Sequence, residues 1–141
     1  MTVRPEVVRE RLAHLALVLK QLERLRAMSP EQRRSDPLIQ LAAERALQVA
    51  AEVLFDVGHH VLAGRGTHVP AQYREIIPAL GAAGALPLAL AQRLDGLAGL
   101  RNIIVHDYVQ VDAEILFRLI DERLDDLIEA LAALSDLPEL R

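Results

Sequence analysis

The chain has 141 residues, a formal net charge of −4 at neutral pH and 52% hydrophobic residues. Leucine and alanine, which favour helices, make up 47 residues and only four are aromatic, so the composition indicates an all-α domain and excludes an all-β or disordered chain. The lack of cysteine excludes disulfides and thiolate chemistry, the acidic balance excludes a globally basic nucleic-acid-binding surface, and no apolar run reaches the roughly 18 residues of a membrane span.

Apolar residues recur every three or four positions along five stretches, and these stretches predict helices. The predicted helices cover residues 5–28, 37–63, 71–80, a stretch from Leu86 into Arg101, and residues 112–134. Ser29-Pro30 and Asp36-Pro37 provide capping signals, so a break with one short turn is expected between the first two helices. Glycine and proline place a loop at 64–70.

These five helices predict an up-and-down four-helix bundle with an additional short helix, forming a single domain over residues 1–141. The second and fourth helices are apolar over more than half of their circumference, which is more than a bundle of this size can bury. We therefore expect a homodimer that associates through helix faces. The N-terminal residues carry no signal-peptide pattern, so a cytoplasmic location is expected.

One segment, Arg101-Asn-Ile-Ile-Val-His-Asp-Tyr108, combines several chemically useful side chains. Asn102 and His106 are four residues apart and share a helix face, and the long Arg101 side chain reaches the same rim. Arginine binds phosphate, histidine is an acid or base near neutral pH, and asparagine can orient it or donate to an oxyanion. These groups suit a metal-free ribonuclease, but arginine and histidine at a helix end also suit a purely capping role.

The same segment resembles the signature of the HEPN superfamily, and specifically of the HepT-like ribonuclease toxins. That signature is an arginine, then any four residues, a histidine, any one residue and a tyrosine. Arg101, His106 and Tyr108 match it, and Asn102 follows the arginine, as the family commonly shows. Residues 44–59 resemble the family's second helix, and the stretch from Pro70 resembles its third.

The resemblance implies a homodimer of helical bundles whose composite cleft cuts RNA with Arg101 and His106, supported by Asn102 and Asp107. It also implies a toxin–antitoxin module of the type VII kind. The partner would be an MntA-like nucleotidyltransferase antitoxin that attaches AMP to Tyr108. No cofactor and no metal is implied.

Other polar residues are secondary candidates. Asp56, His59 and His60 have the spacing of helical metal ligands, but only two share a face, so a structural role is favoured. Glu44, Gln48, Glu52 and Asp56 form a row that is either solvated or faces the cleft and orients Arg101 or His106. His14 is expected to be partly buried or at an interface, and His68 in a loop. The acidic cluster of the last helix is expected to form a surface face; its members are Asp121, Glu122, Asp125 and Asp126.

The sequence therefore predicts a metal-independent endoribonuclease toxin that acts on tRNA or mRNA. The alternative is a non-catalytic dimeric helical adaptor whose Arg101 and His106 bind a nucleotide or hold the partner transferase. The intact set of Arg101, Asn102, His106 and Tyr108 favours the enzyme.

Overall fold

The computed structural model describes residues 4–97 and 112–141, and within these ranges the protein is helical without any β-strand. The described residues form six α-helices, with a 3-10 turn at Tyr73–Glu75 and another at Pro138–Leu140. The helices are α1 (Pro5–Arg26), α2 (Pro30–Arg34), α3 (Pro37–Gly64), α4 (Ile76–Ala82), α5 (Leu88–Arg93) and α6 (Ala113–Ser135). The all-α bundle is thus confirmed; dimerisation is not tested by a single chain.

The bundle is built on the three long helices, with α1 packed against both α3 and α6. The core side of α1 consists of the stripe seen in the sequence, namely Val8, Leu12, Leu15, Leu19, Leu22 and Leu25, all buried. Leu47, Leu54 and Val61 from α3 and Leu116, Leu124 and Leu134 from α6 complete this core. Of the short helices, α4 packs on α3, and α5 packs on α4 and on α6.

The starts of α2, α3 and α6 follow local capping signals. Ser29 and Gln32 form a reciprocal capping box at α2, with the Gln32 amide donating to Ser29 Oγ over 3.1 Å. The carboxylate of Asp36 accepts from the Leu38 amide at 3.0 Å at the start of α3, and that of Asp112 accepts from the Glu114 amide at 2.8 Å at the start of α6. Each bond satisfies an amide that has no acceptor inside its helix.

Two predicted helices differ from the structure. The predicted helix 71–80 is wrong in its first half, because the α-helical hydrogen bonding begins only at Ile76 after the 3-10 turn. Pro78 explains the shift: it falls in the first turn of α4, where no amide is needed, whereas a start at Ala71 would put it in a helix interior. The helix from Leu86 into Arg101 is not continuous either. It ends at Arg93, and a turn follows in which Gly96 has a φ of 92°.

Arginine side chains tie the short elements to the long helices. At the end of α3, Arg65 donates to Glu139 Oε2 at 2.6 Å and to the Ala83 carbonyl at 2.7 Å, which connects α3 with the C-terminal turn and the end of α4. This pairing holds the pKa of Glu139 below its usual range, chiefly through the hydrogen bond from Arg65.

Candidate functional site

The segment with the ribonuclease-like signature lies outside the described residues. Arg101, Asn102, His106, Asp107 and Tyr108 all fall within 98–111, so their roles remain predictions. On either side of this segment the chain is fixed to the bundle. Leu97 is buried before it, and the Asp112 cap begins α6 after it. The described candidate site is therefore the set of polar side chains on α3 and the cavity beside them.

The predicted polar row on α3 is a hydrogen-bonded, half-buried ridge. Gln40 donates to Glu44 Oε1 at 3.2 Å, and one turn later Gln48 donates to Glu52 Oε1 at 3.3 Å. Side chains four residues apart lie on one helix face, so each glutamine amide fixes the carboxylate that follows it. The row thus presents two oriented carboxylates, which can accept hydrogen bonds from a guanidinium, an imidazolium or a nucleobase.

Asp56, the last member of the row, is engaged within the bundle. It forms an ion pair with Arg11 on α1, and its Oδ1 atom lies 3.7 Å from His60 Nε2. The Arg11–Asp56 pair connects α1 with α3, and the contact between Asp56 and His60 lies within α3. The His59 ring lies at a steep 79° to that of His60, and His59 is exposed. Among the described residues, no three histidine or acidic side chains are arranged to hold a metal ion.

A cavity of about 290 Å³ lies where α3 meets the Tyr73–Ile76 segment. It is lined by Glu52, Phe55, Asp56, His59, Tyr73 and Ile76. The centroids of the Tyr73 and Phe55 rings are 5.3 Å apart and the ring planes are inclined at 52°, so the phenol ring packs against the phenyl ring of Phe55. The cavity combines two carboxylates, an imidazole and a phenol at one end of the polar row.

The sequence did not single out Glu52 or Tyr73 as lining one site. The available signal was the spacing of Glu52, Asp56 and His59, which places them at successive turns of one helix face. The contribution of Tyr73 depends on how closely its segment approaches α3. That approach is permitted at Gly58, where a Cβ atom would lie 2.8 Å from Ile76 Cγ2.

The remaining polar candidates are also placed by the structure. His68 is exposed in the loop after α3, as predicted, whereas His14 is exposed on α1 rather than partly buried. The acidic cluster of α6 faces arginines of this chain. Asp121 pairs with Arg33, Asp125 with Arg26 and Asp126 with Arg93. Part of the cluster therefore joins α6 to α1, α2 and α5.

In the part of the chain that the structure describes, no helix is both long and apolar enough to cross a membrane. None of the proteins with curated descriptions matches the sequence.

Solved structures share the fold at low sequence identity. A toxin–antitoxin crystal structure with AMP-PNP gives a TM-score of 0.82 at 19% identity, covering 94% of this chain and 99% of that one. A tri-AMPylated HEPN toxin of Shewanella oneidensis, in complex with an MNT antitoxin, gives 0.81 at 20% identity and covers 93% and 98%. The cytosolic protein YutE of Bacillus subtilis, of unknown function, gives 0.82 at 20% identity and covers 95% and 90%.

These likenesses establish the fold, and the family follows from the sequence. The model of the family described as ribonuclease HepT-like matches residues 15–134, which include α3, the polar row and the whole of the 101–108 segment. The chain therefore belongs to the HepT-like family of HEPN proteins.

Proposed function

We propose that this protein is the toxin of a HepT/MntA-type toxin–antitoxin module and acts as a metal-independent endoribonuclease. The observation that carries the proposal is the intact signature of Arg101, Asn102, His106 and Tyr108 within the region matched by the HepT-like family model. The structural relatives that are toxin–antitoxin complexes support the same role.

In the proposed reaction, a ribose 2′-oxygen attacks the neighbouring phosphorus and the 5′-oxygen of the next nucleotide leaves. His106 accepts the 2′-hydroxyl proton or delivers one to the leaving oxygen. Arg101 binds the phosphate and stabilises the charge of the transition state, and Asn102 assists. Because one histidine cannot be acid and base at once, we propose a homodimer whose composite cleft supplies two copies of each group.

The polar row on α3 is proposed to position this machinery. Its carboxylates are already held by glutamine amides at 3.2 and 3.3 Å, so a guanidinium or imidazolium that meets them would be fixed in orientation. Glu44 and Glu52 are then positioning residues rather than catalytic ones. Their replacement by glutamine should lower cleavage while shifting its pH profile, a readout that a loss of packing alone would not give.

The decisive experiment compares induced expression of the wild type with Arg101→Ala and His106→Ala, following growth and RNA integrity. Both variants should abolish growth arrest and cleavage while the helical circular dichroism signal is retained. His68→Ala, at an exposed loop histidine, is the matched control and should behave as wild type. RNA cleavage by both motif variants at the wild-type rate would rule out the Arg–His mechanism, whereas no cleavage by the wild type would support the adaptor alternative.

Chelation and mass measurements test the two remaining parts of the mechanism. Cleavage by purified protein should persist in EDTA, and activity lost with chelator and regained with Mg²⁺ would contradict the Arg–His mechanism.

Light scattering should give the mass of a dimer at micromolar concentration. A monomer would rule out the composite cleft.

We further propose that a partner nucleotidyltransferase silences the toxin at Tyr108. The phenol oxygen would attack the α-phosphorus of ATP, with pyrophosphate as the leaving group. The added phosphate would occupy the anion site of Arg101 and exclude RNA. Co-expression with an MntA-like nucleotidyltransferase should add AMP mass to the peptide that contains Tyr108. Tyr108→Phe should stay toxic in its presence, whereas neutralisation of that variant would mean inhibition by binding alone.

A further inference from the structure

An apolar groove runs along the outer side of the contact between α1 and α3. It has a volume of about 570 Å³, and its floor comes from Val18 and Leu25 on α1 and from Ile39, Ala46 and Val49 on α3. From His14 to Leu25 the α1 wall is about 17 Å long at the helical rise of about 1.5 Å per residue. That length accommodates about three turns of a further helix, the geometry in which amphipathic helices lie in grooves.

Large apolar side chains beside the groove are exposed to solvent. Leu38 lines the groove and is 68% exposed, and Leu17 is 60% exposed and lies on the same face of α1 as His14 and Gln21. Leucines in such positions leave apolar surface in water around a concave apolar floor. A contiguous patch of this kind is typical of a protein–protein contact.

The charged residues at the rim of this groove are all basic. Its lining includes Arg24, Arg45 and His14 but no carboxylate. Arg24 donates to Gln21 at 2.8 Å and Arg45 to Gln48 at 3.3 Å, both on their own helices. Within residues 4–97 and 112–141 neither arginine has an ion-pair partner, whereas Arg11, Arg26, Arg33, Arg65 and Arg93 each pair with a carboxylate.

The uncompensated charge decides between possible occupants. A second copy placed by a two-fold axis would bring two copies of the same basic lining together, and neither copy of the lining supplies a carboxylate for Arg24 or Arg45. An amphipathic helix with an apolar stripe and flanking carboxylates instead fills the floor and pairs with both arginines. Arginine forks bind carboxylates bidentately, which would also fix the register of such a helix.

We propose that the α1–α3 groove binds an acidic amphipathic helix of a partner protein, with carboxylates of that helix on Arg24 and Arg45. The proposal goes beyond the nuclease function and does not depend on it. It concerns a surface remote in sequence from the 101–108 segment and is measured by binding alone.

The test uses two stapled helical peptides of about 14 residues, long enough for the groove at the helical rise. They share one leucine and valine face and differ only in having glutamate or lysine at the flanking positions. Binding to the full chain is followed by fluorescence anisotropy. The glutamate peptide should bind at least about tenfold more tightly than the lysine peptide, a difference of about 1.4 kcal/mol.

Charge reversal provides the matched comparison. The double variant Arg24→Glu/Arg45→Glu should invert the preference between the two peptides. Arg74→Glu/Arg118→Glu, at two exposed arginines outside the groove, should leave it unchanged. Ala42→Trp, at an exposed residue of the lining, should block both peptides by filling the groove.

Three results would overturn the proposal: equal binding of the two peptides, no binding of either by the wild type, or unchanged preference after charge reversal. Light scattering of the same variants identifies the competing occupant. If Ala42→Trp or the groove double variant converts a dimer into monomers, the groove is an interface between copies and the proposal fails. If the wild-type protein shows no nuclease activity but still distinguishes the two peptides, only the proposed function is refuted.

Discussion

The Arg33 side chain connects α2 and the end of α1 to the second and third turns of α6, which makes it a sensitive position for testing how the helices are held together. Its guanidinium donates to both carboxylate oxygens of Asp121, at 2.7 and 3.0 Å, and to the Arg26 carbonyl at 3.0 Å. It also lies 4.8 Å from the centre of the Phe117 ring. The side chain is only 12% exposed, so water replaces few of these contacts.

The magnitude follows from these parts. The bidentate ion pair contributes about 1 kcal/mol, because Asp121 is itself 46% exposed and the pair is partly screened. The hydrogen bond to the α1 carbonyl adds about 1 kcal/mol, and the contact with Phe117 adds roughly 0.5–1 kcal/mol. Arg33→Ala should therefore lower the free energy of unfolding by about 3 kcal/mol, which corresponds to a fall in Tm of roughly 10 °C for a domain of this size.

Urea denaturation followed by circular dichroism measures this loss. Arg33→Lys keeps the charge but not the planar fork, and should recover less than half of the stability. The neighbouring Arg34→Ala is the matched control: it is exposed, forms no ion pair with a described residue, and should change stability by less than about 0.5 kcal/mol. A double-mutant cycle with Asp121→Asn should give a coupling of about 1 kcal/mol. An Arg33→Ala protein as stable as the Arg34→Ala protein would refute the reasoning.

Two further predictions concern pH and packing. Arg65 keeps the pKa of Glu139 below its ordinary value of 4.5, so this pair stabilises the protein above that pH and its contribution is lost as pH falls through the lowered pKa. Glu139→Gln should thus be less stable than wild type at pH 7, and the free energies of unfolding of the two proteins should converge in urea titrations as the pH falls below 4.5 and through the lowered pKa. A Cβ atom on Gly81 would lie 2.8 Å from Ala91 Cβ, a methyl that cannot rotate away. Gly81→Ala should therefore cost about 1 kcal/mol despite its better helix propensity, and a rise in Tm would contradict this.

Much of the fold was predictable because helix formation is decided by nearby residues. The Asp36 and Asp112 carboxylates cap amides only two residues further on, so the starts of α3 and α6 could be read directly from the sequence. The buried stripe of α1 follows from its own three- and four-residue periodicity. The 101–108 signature is equally local, since its residues lie within eight consecutive positions.

Other features depended on which distant residues the fold brings together. Arg33 and Asp121 are 88 positions apart, and Arg65 and Glu139 are 74 apart, so no local pattern indicates either pair. The acidic cluster of α6 was expected to form a surface face, yet Asp126 is almost fully buried with Arg93 against it. Similarly, Arg24 and Arg45 look like any other arginines in the sequence. Only the packing of α1 on α3 places both at the rim of one apolar groove that has no carboxylate in its lining. The physical reason is that the interaction between two charges depends on their distance in space, whereas helix formation depends on residues that are close along the chain.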